Sequence, residues 1–353
     1  MSVLHTIPQL VAAAREQRAS DIHIVCGIPI RIRIDGQLKS FDNNVMTNED
    51  CEYYASQMSS RYEDIREMGE QDLAISMPDG TRCRVAIYRQ QGHISSAIRL
   101  LNDHIPSFHE LGLPAVVNQF TEFKQGIVLV TGETGSGKST TLACLLDKIN
   151  HTQNKHIITL EDPIEYVYKP ELCIVNQREV GSDTASFQNA LNSLLRADPD
   201  VILVGEMRNL ATIEAALMAA ETGHLVFATL HTNSASDTID RIVDIFPPEQ
   251  QPQIRIQLSM SLQAVLCQQL LPHQSGTGRV LATEVMLVNP AIRNLIREGK
   301  SFQIPNIITT TAAEGNHLMD TSLVQLHRQH KISTDVMFRA SHDREYIQRA
   351  MLF

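Results

Sequence analysis

A chain of 353 residues is longer than one ordinary domain needs, so two folded units are expected. Hydrophobic residues at 43% and charged residues at 20% exclude a disordered or fibrous protein. A formal net charge of -10 without a long Lys/Arg run excludes a general affinity for nucleic-acid phosphates.

Residues 3–18 carry Leu4, Ile7, Leu10, Val11 and Ala14 at helical spacing, which predicts a helix. Residues 21–25 and 28–34 cluster or alternate β-branched side chains as strands do, and Asp35-Gly36 reads as a hairpin turn. Strand signals return at 73–76, 82–88 and 93–100, with Asp79-Gly80 as a further turn. A small α+β domain is expected over 1–102, and Pro106 with the Leu-Gly-Leu-Pro run at 111–114 marks a linker at 103–118.

The pattern then changes. Short continuous apolar runs at 127–131, 157–160, 201–204 and 225–230 suit strands buried on both faces. Between them, 139–149, 187–196 and 210–222 have apolar positions three or four apart, and Gly223 is placed to end the last helix. This alternation predicts an α/β fold over 119–353, a RecA-like P-loop NTPase core built on a parallel sheet.

Six scattered cysteines (Cys26, Cys51, Cys83, Cys144, Cys173 and Cys267) form no C-x-x-C pair, which suggests idle thiols in a reducing cytoplasm. No run of about 18 apolar residues occurs, so neither a membrane span nor a signal peptide is expected.

The run 132–139, Gly-Glu-Thr-Gly-Ser-Gly-Lys-Ser, matches G-x-x-x-x-G-K-[ST] between a buried strand and a helix, the context in which that pattern binds nucleotide phosphates. Gly132, Glu133, Thr134, Gly135, Ser136 and Gly137 would wrap ATP with backbone N–H groups. Lys138 would bridge its β and γ phosphates, and Ser139, followed by Thr140 at the helix start, would ligate Mg2+. The run 198–206, Asp-Pro-Asp-Val-Ile-Leu-Val-Gly-Glu, is an apolar strand ending in a carboxylate, which makes Glu206 the candidate base for the attacking water; its alternative is to cap a helix starting near Asn209. Gly205 stands where many P-loop proteins keep a Mg-ligating Asp, so a second acid is needed. Glu161, at the end of the strand in the run 159–165, is the first choice, while Asp162 before Pro163 also fits a turn and Glu165 a surface charge. His224 and His231 bracket the fourth core strand; His231 is placed to sense the γ-phosphate or an adjoining subunit, and His224 to do so or to organise a loop.

These four ordered motifs resemble those of the secretion and type IV pilus ATPase superfamily, and most closely the retraction ATPases of the PilT family. The resemblance runs from the N-terminal domain to the C-terminal helices. It makes 132–139 the Walker A loop, 161–165 the Asp box, 198–206 an atypical Walker B motif and 224–231 the His box. It implies a PAS-like N-terminal domain that supplies arginines to a nucleotide, for which Arg84 and Arg99 match in sequence context; by the residues alone both also suit a solvent-facing strand edge. The Ser-Asp-Ile-His run at 20–23 resembles the family's start-of-domain motif, with a structural role. The run 291–298, Ala-Ile-Arg-Asn-Leu-Ile-Arg-Glu, looks like the signature of retraction ATPases, with Ile292, Leu295 and Ile296 on one helical face. The run 314–320 follows the family pattern only in part.

The resemblance implies a homohexameric, cytoplasmic ring at the inner-membrane face of the pilus machine, acting on a membrane-embedded platform protein and using ATP and Mg2+. Other classes compatible with such a core are an accessory retraction paralogue, an extension or type II secretion ATPase, a nucleic-acid translocase, which the acidic balance disfavours, and a regulatory ring subunit, which the complete motif set disfavours.

Overall fold

The computed structural model describes residues 5–34, 37–59, 63–65, 69–101 and 104–352. The chain divides into two compact units, Met1–His104 with Pro163–Val167, and Ile105–Asp162 with Tyr168–Phe353.

In the first unit a helix, Ile7–Glu16, buries Ile7, Leu10, Val11 and Ala14; the Thr6 backbone N–H donates to Gln9 Oε1 at 3.0 Å, closing a capping box. Six antiparallel strands follow: β1 (Asp21–Ile24), β2 (Pro29–Ile34), β3 (Gln37–Val45), β4 (Glu70–Ser76), β5 (Arg82–Gln90) and β6 (His93–Leu100). They lie in the order β3-β2-β1-β6-β5-β4. Alternation along β5 sends Cys83, Val85 and Ile87 into the core and leaves Arg84 exposed. The Asp79-Gly80 turn joins β4 to β5, with Gly80 at φ 88. The expected Asp35-Gly36 turn lies outside the described residues, between strands that pair up to Ile34 and Gln37.

The second unit holds a seven-stranded sheet of β7 (Gly126–Thr131), β8 (His156–Glu161), β9 (Ile174–Glu179), β10 (Val201–Val204), β11 (Leu225–Leu230), β12 (Leu262–Pro272) and β13 (Arg279–Leu287). Their order is β13-β12-β7-β11-β10-β8-β9, parallel throughout except for β13. Every residue of β7, β10 and β11 is buried, which explains their unbroken apolar runs. Because these strands are parallel and in register, their C-terminal ends open along a single sheet edge, where α/β sheets bind ligands.

The segment 105–118, expected as a linker, is folded into this unit. Ser107 and Glu110 cap a short helix, Phe108–Leu111, and the following turn, Ala115–Glu122, buries Val116, Val117 and Phe120. The Pro290–Glu298 helix carries the expected amphipathic face, with Ile292 and Ile296 buried and Leu295 packed beside them. Among the described residues no helix is long and apolar enough to cross a membrane.

Candidate active site

The loop 132–137 leaves the buried end of β7 and turns directly into the helix Lys138–Thr152. Gly132 sits at φ 140, and a Cβ there would run into the Gln268 carbonyl and lie 2.7 Å from Ser136 Oγ, so only glycine lets the loop close on β12. Gly137, at φ 90, starts the helix. The Lys138 ammonium donates to the carbonyls of Gly132 and Glu133 at 2.8 and 2.9 Å and so braces the loop from within. Ser136 is 5% exposed, and its hydroxyl has no hydrogen-bond partner among the described residues. A buried, unpartnered hydroxyl at the start of a helix is what an anion would satisfy. Ser139 and Thr140 are half-buried in the first turn of the helix.

Beneath this loop Gln268, on β12, donates from Nε2 to Thr141 Oγ1 at 2.9 Å and ties the phosphate helix to the sheet. Neither spacing nor periodicity points to Gln268; its sequence signal is a polar residue in the otherwise apolar stretch 264–267 to 270–271.

Two strands over, β10 ends at Val204, and the Gly205 N–H donates to the Leu160 carbonyl of β8 at 2.8 Å. A Cβ on residue 205 would approach that carbonyl to 3.0 Å, so an acid at the position where other P-loop proteins carry one would press β10 away from β8. Glu206 follows, about one-fifth exposed, with Oε1 3.0 Å from His231 Nε2 and Oε2 2.9 Å from Arg208 Nε. Asn209 itself caps the next helix, accepting the Thr212 N–H at 3.0 Å, so Glu206 is not spent as a cap. Arg208 was not foreseen: nothing about an arginine after a strand end distinguishes it until its partner's position is known.

The acids at 161–165 separate. Glu161, 9% exposed at the end of β8, accepts from Thr159 Oγ1 at 2.7 Å and Gln177 Nε2 at 3.3 Å, which aims its carboxylate. Asp162 and Glu165 are exposed, and Glu165 groups with the first unit.

The two histidines also separate. His231 follows the C-terminal end of β11 and reaches Glu206, whereas His224 precedes its N-terminal end. There the His224 ring nitrogen Nδ1 donates to the Ala219 carbonyl at 2.9 Å, closing the end of the helix Leu210–Glu221. Within one chain His224 is therefore not brought to the Glu206 cluster.

Arg84 and Arg99 face each other across β5 and β6 in the first unit. Arg99 Nε donates to Asp21 Oδ1 at 2.9 Å, and Ser20 Oγ donates to Asp21 Oδ2 at 2.7 Å. Burial pushes the Asp21 carboxyl up, but these two hydrogen bonds and the nearby cations outweigh it and hold the group below the usual aspartate range. The run 20–23 thus has a structural task in anchoring Arg99.

Residues 1–337 match the family model described as "Type II/IV secretion system protein". The chain is 44% identical over 331 residues to the type IV pilus retraction ATPase PilT of Pseudomonas aeruginosa, covering 93% of this chain and 96% of that one. It is 41% identical over 345 residues to a twitching motility protein of Neisseria gonorrhoeae, covering 97% and 92%. A crystal structure of the pilus retraction motor PilT with bound ADP superposes with a TM-score of 0.92 at 47% identity, covering 98% of this chain and all of the other (100%).

Proposed function

Since the chain belongs to the type II/IV secretion system protein family, we propose that it is an ATP-hydrolysing motor that powers type IV pilus retraction. The observation that carries the chemistry is the carboxylate of Glu206, held between His231 and Arg208 on the sheet edge onto which the loop 132–137 also opens. Two relatives, the retraction ATPase and the twitching motility protein, carry the direction of work.

On this reading the loop N–H groups, Ser136 and Lys138 bind the phosphates, and Glu206 accepts a proton from the attacking water, oriented by His231. The residues fit a magnesium nucleotide: Ser139 and Glu161 offer hard oxygen donors, and among the described residues no cluster of three or more acids, histidines or cysteines forms a metal cage. Magnesium, which keeps most of its coordination for water and phosphate, would neutralise charge on the phosphate oxygens. Arg84 and Arg99 are proposed to serve a nucleotide in a homohexameric ring at the cytoplasmic face of the inner membrane, with the pilus platform protein as partner. Their permanently charged planar heads suit phosphate oxygens.

The test is a count of surface pili in cells whose chromosomal copy carries Glu206→Gln, a near-isosteric loss of the base. More pili than wild type are expected. Bald cells would assign the motor to extension or secretion, and an unchanged count would overturn retraction as its main duty.

A further inference from the structure

A single buried carboxylate joins the starts of two helices. Glu284, on β13, is 3% exposed. Its Oε1 accepts the Ala235 N–H at 2.7 Å, and its Oε2 accepts the Met319 N–H at 3.2 Å. Ala235 and Met319 are the first residues of the helices Ala235–Asp244 and Met319–Arg328, so each N–H lacks a helical acceptor and sits at the positive end of its helix. Burial pushes the Glu284 carboxyl above the usual glutamate range, and the two N–H donors hold part of that rise back. Without this carboxylate two buried N–H donors would be left unpaired, so the side chain has a task other than filling space.

Each helix leads to one wall of the same cavity. The first continues directly from 231–234, the segment carrying His231 and Asn233. The second begins in the run 314–320 and carries Asp320, whose carboxylate accepts the N–H groups of His342 and Asp343 at 2.9 and 2.7 Å. A cavity of about 500 Å³ lies against the phosphate loop at Thr134 and Ser136, and Asn233, Arg339 and His342 also line it.

We propose that Glu284 is a positioning residue that locks the His231 segment to the C-terminal helices, so that nucleotide on the phosphate loop draws both walls of this cavity together. The proposal rests on the nucleotide site described above. It also gives the run 314–320 a role: Asn316 Oδ1 accepts the Leu287 N–H at 2.6 Å, and His317 bridges to Val285, holding the start of the second helix on β13.

The test uses the purified full chain and its Glu284→Gln variant, in which the new amide N–H₂ faces one of the two N–H donors. Turnover is expected to fall roughly tenfold or more, the scale of a loosened supporting contact, with the Kd for ADP kept within about threefold. Hydrogen exchange over 319–328 should slow on ADP addition in the wild type and not in the variant, while 132–140 slows in both. Unchanged turnover, or ADP-linked slowing of 319–328 that persists in the variant, overturns the proposal, as does a parallel loss of turnover, ADP binding and melting temperature. Asp320→Asn supplies a second arm should Glu284→Gln not fold: slowing should be lost over 342–350 and kept over 319–328, and its persistence over 342–350 sinks the idea. Wild-type protein in which ADP fails to slow 132–140 would refute the nucleotide site itself; slowing at 132–140 alone refutes only the coupling.

Discussion

A methyl group added at Gly205 tests how the end of the catalytic strand is built. The new Cβ would stand 3.0 Å from the Leu160 carbonyl oxygen and 3.4 Å from Glu161 Cα. The backbone cannot slide away freely, because the Gly205 N–H is bonded to that carbonyl at 2.8 Å and its own carbonyl accepts from Thr229 Oγ1 at 2.6 Å. β8 and β10 must separate by a few tenths of an ångström, an overpacking that costs about 1–3 kcal/mol. At about 2–4 °C per kcal/mol for a unit of this size, the melting temperature should drop by roughly 2–12 °C. Glu206 and Glu161 adjoin the displaced backbone, so turnover should fall further than stability suggests, by up to about 10²-fold. Thermal melts and steady-state ATP hydrolysis on Gly205→Ala measure both. A variant as stable and as active as wild type would refute the claim that steric closure, rather than chemistry, excludes an acid here.

Lys138→Ala should abolish turnover and ADP binding, measured by calorimetry, while destabilising the fold by no more than a few kcal/mol through loss of its hydrogen bonds to Gly132 and Glu133. His317 is held below its ordinary value of 6.5 chiefly by burial, its Nδ1 donating to Gly315 and its Nε2 accepting from Thr283. Because the unfolded chain takes the proton first, stability present above the unfolded value is lost as pH falls below it; melts from about pH 7 to pH 5.5 should show a smaller decline for His317→Gln than for wild type. Arg84→Ala should leave stability unchanged or raise it by a few tenths of a kcal/mol, since Arg84 and Arg99 are like charges directly opposite in register, yet lower turnover. A destabilised variant with normal turnover would return Arg84 to a structural role.

What was legible in the sequence follows from where burial is two-sided. β7, β8, β10 and β11 announce themselves because parallel strands covered on both faces can carry only apolar runs, and the phosphate loop because its glycines answer a backbone demand. β3 escapes notice because it is an edge strand of largely exposed polar residues, and β9, at the other sheet's edge, because its polar run from Asn176 to Glu179 is only partly buried. The helix Asn48–Met58 carries Cys51, Tyr54, Ala55 and Met58 at helical spacing, but these side chains are weakly apolar and the rest of the helix is polar, so the signal is faint. Within the site, Glu206 was legible as a strand-end acid, but Arg208, Gln268 and Glu284 were not. Each acquires its meaning from a partner whose position only the fold fixes, as when Glu284 meets Ala235 49 residues away.

The two histidines show how strand direction divides a motif that sequence proximity unites. β11 has six residues, and at roughly 3.3 Å each its ends lie about 20 Å apart, so residues before and after it cannot serve one reacting phosphate of the same chain. The parallel pairing of β11 with β7 decides which end matters: Leu230 lies beside Thr131, where the phosphate loop begins, and Leu225 beside Gly126. His231 therefore emerges on the phosphate side and meets Glu206, while the His224 carbonyl accepts the Gly126 N–H at 3.0 Å and its ring closes the preceding helix. Within its own chain His224 therefore stands at the opposite ends of β7 and β11 from the phosphate loop and His231.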